Sequence, residues 1–516
     1  MTKVLNSAEQ FSDQAVDGLV SVYSRYLEKT YGGVISTRQT RPGKVAVVIG
    51  GGSGHYPAFA GWVGPGLADG AVVGNIFASP STQQIYAVAK AAEDGAGVLF
   101  SYGNYAGDVL NFSLAEEQLR EEGIAARSLP VTDDVSSASL ADRTKRRGVA
   151  GDLVVFKIAG AAAESGLDLD GVSAVAERAN AATFSFGVAF AGCTLPGADA
   201  PLFTVPEGQM GVGLGVHGEP GVDEVPLEPA ADLARRLVDR LLQERPGGSS
   251  GRVAALLNGL GGTKYEELFV LWNDVRQLLA AAGLEVVQPE VGELITSLDM
   301  AGVSLTLTWL DDELAEFWAA AADTPAFRRG PGMEAKQVHR SMSEAEQQEV
   351  AEASDTSQAL AAQLVDCLSD VASLLHDKER ELGDLDAIAG DGDHGRGMTK
   401  GCDAALAAAR SVVDAGAGLS STLAAAGNAW SDKAGGTSGA LWGNGLRQAA
   451  TALADHSRPT AQQGLAAVQA GLELVSTFGK ATRGDKTLLD ALIPFTESLE
   501  ESLNSGESWA SAWSSA

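Results

Sequence analysis

Short aliphatic and β-branched runs that end in glycine-rich turns recur through the first 330 residues of this chain and then stop. Val45–Ile49 runs into GGGSGH, Val98–Ser101 into YGNYAGD, and Leu153–Ile158 into AGAAA. Strands closed by glycine turns, with helical stretches between them, define an α/β fold whose sites lie at strand ends. The pattern resumes after about residue 180 with FGVAFAGCTLPG, GVGLGVHGEPG and AALLNGLGGT. Residues 1–330 therefore read as two α/β lobes divided near 180. Arg328–Val350 is polar and has Gly-Pro-Gly near its start, so it reads as a linker, bounded at 331–350. From 351 to 516 the composition turns to alanine, leucine and serine. Leu360, Leu364, Leu368, Val371 and Leu375 keep helical spacing, so this part reads as all-α.

Charge narrows the partners. Lys plus Arg total 37 against 67 Asp plus Glu, a formal charge of −30. Phosphate backbones and anionic membranes repel such a surface, which disfavours nucleic acid or a membrane as partner. Three cysteines (Cys193, Cys367, Cys402) are far apart and in no metal-ligand spacing, which points to a reducing compartment and the cytoplasm. The N-terminal residues show no apolar leader, and no uninterrupted apolar run is long enough to span a bilayer.

The six histidines separate by context. His339, His376 and His456 sit in polar or helical surroundings and read as structural or solvated. His55, His217 and His394 sit in tight glycine loops (GGGSGHYP, GVGLGVHGEPG and AGDGDHGRG), where backbone can approach a ligand closely.

LDAIAGDGDHG places Asp386, Asp391 and Asp393 within eight positions. Hard oxygen ligands this close suit Mg²⁺, with a phosphate completing the octahedron. An Asp-Gly surface turn is the plainer alternative. A calcium EF-hand fails, because counting from Asp391 puts Gly395 at position five and Cys402 at position twelve. KAGGTSGALWG (Lys433–Gly443) and TRGDKTLLDAL (Thr482–Leu492) add two further glycine loops that could cradle phosphate oxygens or permit close helix packing. No P-loop occurs, and His55 takes the last glycine's place in GGGSGH, so a dinucleotide fingerprint fails too. GGSSG (Gly247–Gly251) matches a nucleophile elbow, but it follows Arg-Pro in a polar stretch rather than a strand.

Taken in order, GGGSGHYP, GNIFASP, NYAGDVLNF, RRGVAGDLVVFKIAGAAA, FGVAFAGCTLPG, GVGLGVHGEPG, LDAIAGDGDHGRGM, KAGGTSGALWG and GDKTLLDAL resemble the ATP-dependent dihydroxyacetone kinases and their erythrulose-phosphorylating relatives. The resemblance spans nearly the whole chain. It implies a ketose-binding module of two α/β lobes followed by an all-helical nucleotide-binding barrel or bundle, with ATP and Mg²⁺ as cofactors. It also implies a small ketose as substrate and a homodimer. His217 falls where the family forms a covalent hemiaminal with the substrate carbonyl. Gly52, Ser53 and Gly54 match the substrate-cradling turn. Asp108 matches the residue that accepts the proton of the phosphorylated hydroxyl, with His55 as its hydrogen-bonding neighbour. Asp386, Asp391 and Asp393 match the Mg²⁺ ligands, and His394, Gly436, Thr437, Ser438 and Gly484 the nucleotide loops. Because the two sites lie on different modules, a closing motion or a neighbouring subunit's cap is implied.

Two departures bear on substrate and extent. Many relatives carry lysine where this chain has Gly103 in GNYAGD, and losing that long cation leaves room for a four-carbon ketose such as erythrulose. The sequence also ends at SWASAWSSA, before the closing helical segment usual in the family. Other readings are an FMN-cyclising lyase acting on FAD, a non-catalytic ketose-binding regulator, and a subunit fed by a phosphotransferase system. The complete aspartate triad disfavours the regulator, and the fusion of both modules disfavours the fed subunit.

Overall fold

The computed structural model describes residues 4–38, 40–219, 221–330, 352–388 and 390–516. The proposed linker 331–350 and His339 lie outside these residues. Two compact units form, Met1–Lys336 and Gln337–Ala516.

The first unit contains two large sheets. In one, Gly70–Ile76, Ala46–Ser53, Val98–Gly103 and Ala126–Val131 run parallel, and the hairpin Leu27–Thr30/Gly33–Ser36 adds an antiparallel edge. The parallel strands are almost continuously apolar because helices such as Thr82–Ala92 and Ala106–Glu121 pack on the sheet. The second sheet is mixed and begins at Thr183. Its central strands are Arg252–Gly259, Gly302–Trp309 and Thr183–Ala189, joined in antiparallel register and extended by Gln209–Val212 and Asp223–Pro226.

Leu153–Ile158, expected as a strand, is instead part of the helix Asp152–Ser165. Every residue from Asp152 to Ala163 is buried. A helix apolar all round has no polar stripe, so its short run looks the same as a buried strand. It packs in a core shared with Val47, Ile49 and Leu99 of the first sheet and Ala254 and Leu256 of the second. Full burial of each Val, Leu or Phe there contributes about 1.5–3 kcal/mol. Lys157 on this helix is also buried and donates to the Phe317 carbonyl at 2.9 Å, and burial lowers its pKa to about 7. Arg328–Arg329, read as opening the linker, pairs with Ala322–Asp323 as a short ribbon.

The second unit is all-helical among its described residues. Asp355–Asp386, His394–Asp414, Leu419–Ala434, Gly436–Ala450, Ala461–Gly479, Leu489–Asn504 and Trp509–Ser515 each pack on the next. All of them except His394–Asp414 line an apolar cavity of about 530 Å³, with Leu423, Trp442, Val468 and Trp509 among its walls. Asp355–Asp386 is the one described helix long and apolar enough, by length and composition alone, to cross a membrane. Asp366 and Asp370 interrupt its apolar run, and it packs against His394–Asp414 and Leu419–Ala434.

Candidate active site

In the first unit, three turns converge on one small cavity. Strand Ala46–Ser53 leads into the turn bearing His55. Strand Val98–Gly103 leads into the helix Ala106–Glu121, whose first turn carries Asp108. The loop after Gln209–Val212 of the second sheet carries His217. Gly52, His55, Asp108 and His217 all line the cavity. Ser53 and Gly54 do not. The Ser53 hydroxyl instead donates to the Gly74 carbonyl at 2.6 Å. Gly54 takes φ +101°, a left-handed conformation that glycine adopts without strain, and a Cβ there would meet the Phe77 ring at 2.7 Å.

The histidines form a directed chain. His55 Nδ1–H donates to the Thr296 carbonyl at 2.7 Å, because a carbonyl can only accept. Its Nε2 is left bare and faces His217 Nε2 at 3.1 Å. Two nitrogens at that distance attract only with one proton between them. Burial first, then the His217 charge, lowers His55 to about 3, so that proton belongs to His217. On its other side, His217 Nδ1 meets Glu219 Oε1 at 3.0 Å, and the His217 backbone N–H donates to Glu219 Oε2. Burial alone would raise Glu219, but its hydrogen bond with His217 and the charge there hold it near 2. The rings of Phe77 and Tyr105 stand edge-on to His217 at 5.0 and 4.8 Å. The imidazole is thus fixed in orientation.

Three polar atoms of cavity-lining residues are buried without a hydrogen-bond partner: Tyr105 Oη, Asp108 Oδ1 and Asp152 Oδ1. Each costs about 1–3 kcal/mol unless a ligand satisfies it. Burial raises Asp108 to about 6, against the opposing pull of the Ser79 hydroxyl and His217.

In the second unit, Asp386 closes the helix Asp355–Asp386, and Asp391 and Asp393 precede the helix His394–Asp414. One oxygen from each carboxylate lies within 4.8 Å of the others. Asp391 and Asp393 are exposed and Asp386 is half-buried, with its Oδ2 accepting the Gly392 N–H at 2.9 Å. Three hard oxygens gathered on one open loop fit Mg²⁺, which keeps several waters and takes phosphate oxygens. His394 Nδ1 lies 3.3 Å from Ser438 Oγ on the helix Gly436–Ala450, so two of the expected nucleotide loops meet.

The glycines of that second loop divide by task. Gly435 and Gly436 have φ +67° and +58° and open space where a Cβ would stand, while Thr437 beside them is exposed. Gly443 lies against Ser431 and Gly427 of the neighbouring helix, so it serves packing. Gly484 is exposed, and its N–H is already committed to Asp490 Oδ1 at 2.6 Å.

Sequence reasoning missed Glu219, Thr296, Tyr105 and Asp152. Glu219 stands two residues after His217 in the same motif, and Asp152 is a lone acid opening an apolar run, so both had a readable signal. Thr296 contributes only a carbonyl and had none.

Residues 17–326 match the Dak1 domain and residues 388–516 the DAK2 domain. The chain belongs to the ATP-dependent dihydroxyacetone kinase family in its single-chain form and is a ketose kinase, transferring a phosphoryl group to an alcohol. It is 56% identical over 522 residues to the D-erythrulose kinase of Mycolicibacterium smegmatis, covering 100% of this chain and 90% of that one. It is 51% identical over 520 residues to the L-erythrulose kinase of Pectobacterium atrosepticum, covering 100% and 88%. The crystal structure of the C. freundii dihydroxyacetone kinase with AMP-PNP and Mg²⁺ matches at TM-score 0.65 and 31% identity, covering 97% of this chain and 91% of that one.

Proposed function

We propose that this kinase phosphorylates a terminal hydroxyl of erythrulose or dihydroxyacetone, held as a hemiaminal on His217. The supporting observation is the 3.1 Å contact between the two Nε2 atoms, in a cavity that Asp108 also lines. The atoms balance without an outside acid. The Nε2 proton of His217 first passes to the bare Nε2 of His55, which frees the His217 Nε2 lone pair to add to the keto carbon as the carbonyl π pair moves to oxygen. The proton held between the two imidazoles passes to that oxygen, making the hemiaminal hydroxyl. The same proton that leaves His217 ends on the new hydroxyl, so the proton count and net charge of the pocket are unchanged. Polyols, which lack a carbonyl, cannot be captured this way.

Asp108 accepts the proton of the hydroxyl to be phosphorylated, and a carboxyl raised to about 6 is well suited to a base near neutral pH. Asp386, Asp391 and Asp393 would hold Mg²⁺, which when bound neutralises the phosphate charge of ATP. His394, Gly436, Thr437 and Ser438 sit beside or across from that loop and are assigned to the nucleotide, and Gly484 only by its motif. Three free cysteines and the need for ATP support a cytoplasmic setting.

The test is carbon NMR with dihydroxyacetone labelled at the keto carbon, without ATP. The carbonyl signal should move to the tetrahedral range with the native enzyme and stay a ketone signal with His217→Ala. A native enzyme that leaves the ketone unchanged, while turning over ATP and ketose, would exclude the covalent step.

A further inference from the structure

The proposed reaction gives Asp108 and His217 their work but leaves Asp152 without any. Asp152 is 3% exposed, lines the ketose cavity, and its Oδ1 has no hydrogen-bond partner. It sits in the first turn of the buried helix Asp152–Ser165, so folding places it there against a considerable desolvation cost. The charges that act on it are those of Asp133 and Asp108, both acidic, so no cation compensates. Asp133 is committed elsewhere: its two oxygens accept the Val149 and Gly151 N–H groups at 2.8 Å, which fixes the turn that presents Asp152.

The space beside the carboxyl is kept clear by missing side chains. A Cβ on Gly103 would stand 3.2 Å from the Tyr105 ring and 3.4 Å from Asp152 Oδ2, and one on Gly148 would stand 2.4 Å from the Gly103 Cα and 2.9 Å from Asp152 Oδ1. Both glycines line the same cavity. Neither has the positive φ that would demand glycine for the backbone alone. The unpartnered carboxyl thus borders a stretch of cavity wall that carries no side chain. Burial and the neighbouring acids favour its neutral form, which offers one donor and one acceptor and so complements an alcohol on both counts.

We infer that Asp152, framed by Gly103 and Gly148, is the subsite for the extra carbinol of a four-carbon ketose and sets the preference for erythrulose over dihydroxyacetone. The inference rests on the ketose-kinase reading above. Asp152 acts here as a specificity residue that touches substrate; it takes no part in the phosphoryl transfer.

The experiment measures kcat/KM of the full chain for D-erythrulose, L-erythrulose and dihydroxyacetone in native, Asp152→Ala, Asp152→Asn and Gly103→Val forms. Asp152→Ala should lower the ratio of the better erythrulose isomer to dihydroxyacetone by about 10- to 100-fold, the worth of one or two hydrogen bonds to a buried hydroxyl. Asp152→Asn, whose amide can still donate and accept, should restore most of that ratio. Gly103→Val, which keeps the carboxyl but crowds the cavity wall beside it, should lower it as well. Thermal unfolding of each variant identifies any that misfold, and the Asn and Val forms then decide alone. Ratios within twofold of native in the folded variants overturn the subsite while leaving the kinase reading intact. A native enzyme that phosphorylates none of the three ketoses overturns both.

Discussion

Around the half-buried pair His217 and Glu219, the buried groups His55, Asp108, Asp152 and the Thr296 carbonyl arrive from separate stretches of chain. Asp386, Asp391 and Asp393 instead come from eight consecutive positions and stay largely open to water. The first site is assembled by tertiary packing, which holds unpaired polar atoms in place before any ligand arrives. The second relies on water to solvate its charge until a cation and a phosphate replace it. Folding energy maintains the ketose site, and ligand energy completes the nucleotide site. Substitutions should therefore act differently in the two places. In the cavity they should remove chemistry that added ligand cannot restore. On the open loop they should raise a concentration requirement that added ligand can meet.

Asp108→Asn tests the cavity most severely. Loss of the base should lower kcat about 10²–10⁴-fold while the NMR signature of ketone capture persists. As the proposed base, the same residue should set the acid limb in the native enzyme. Its pKa is raised to about 6, so the basic form prevails above that pH and is lost below it. The rate should therefore fall about tenfold per unit below pH 6 and level off above it. A limb near the ordinary aspartate value would show that the burial is not felt in the working enzyme.

Asp391→Asn comes next and should behave in the opposite manner. Removing one of three ligand charges should raise the Mg²⁺ requirement about 10- to 100-fold, with most of kcat returning at saturating Mg²⁺. Failure of excess metal to rescue would mean that this loop is as rigidly preorganised as the cavity. Glu219→Gln should cost less, about tenfold in ketone capture, because the amide can hold the His217 ring yet cannot balance its charge.

How much of this was legible follows the same division. The aspartate loop, His55, His217 and His394 stood out as candidates because each lies in a local glycine motif that can be seen without a distant partner. The two-sheet α/β half and the helical half were also legible, since glycine turns and leucine spacing are local patterns. The helix Asp152–Ser165 was not. Buried on all sides, it shows no 3.6-residue period, and its run Leu153–Ile158 passes for a strand. Misreading that element also hid Asp152, whose place in the cavity depends on where the helix begins. Glu219 was passed over although it stands beside His217, because its role appears only once Nδ1 is seen to face it at 3.0 Å. Asp490 took the Gly484 amide that the motif had assigned to phosphate, a competition between neighbours on one loop that spacing alone does not reveal.

Ser438→Ala should have the mildest effect, and for that reason it discriminates well. Its hydroxyl lies 3.3 Å from His394 Nδ1, a contact linking the starts of two helices beside the aspartate loop. A neutral hydrogen bond nets about 0.5–1.5 kcal/mol, and partial solvation here favours the lower end. The expected change is therefore a two- to threefold rise in the KM for ATP, with the ketose KM, ketone capture and thermal midpoint unaltered. The His394 ring should keep its place, because the helix beneath it is held by buried Gly395, Thr399 and Cys402 rather than by this contact. A loss in kcat comparable to that of Asp108→Asn would place Ser438 among the groups that touch the transferred phosphate. It would also make the open site as dependent on a single fixed side chain as the buried one.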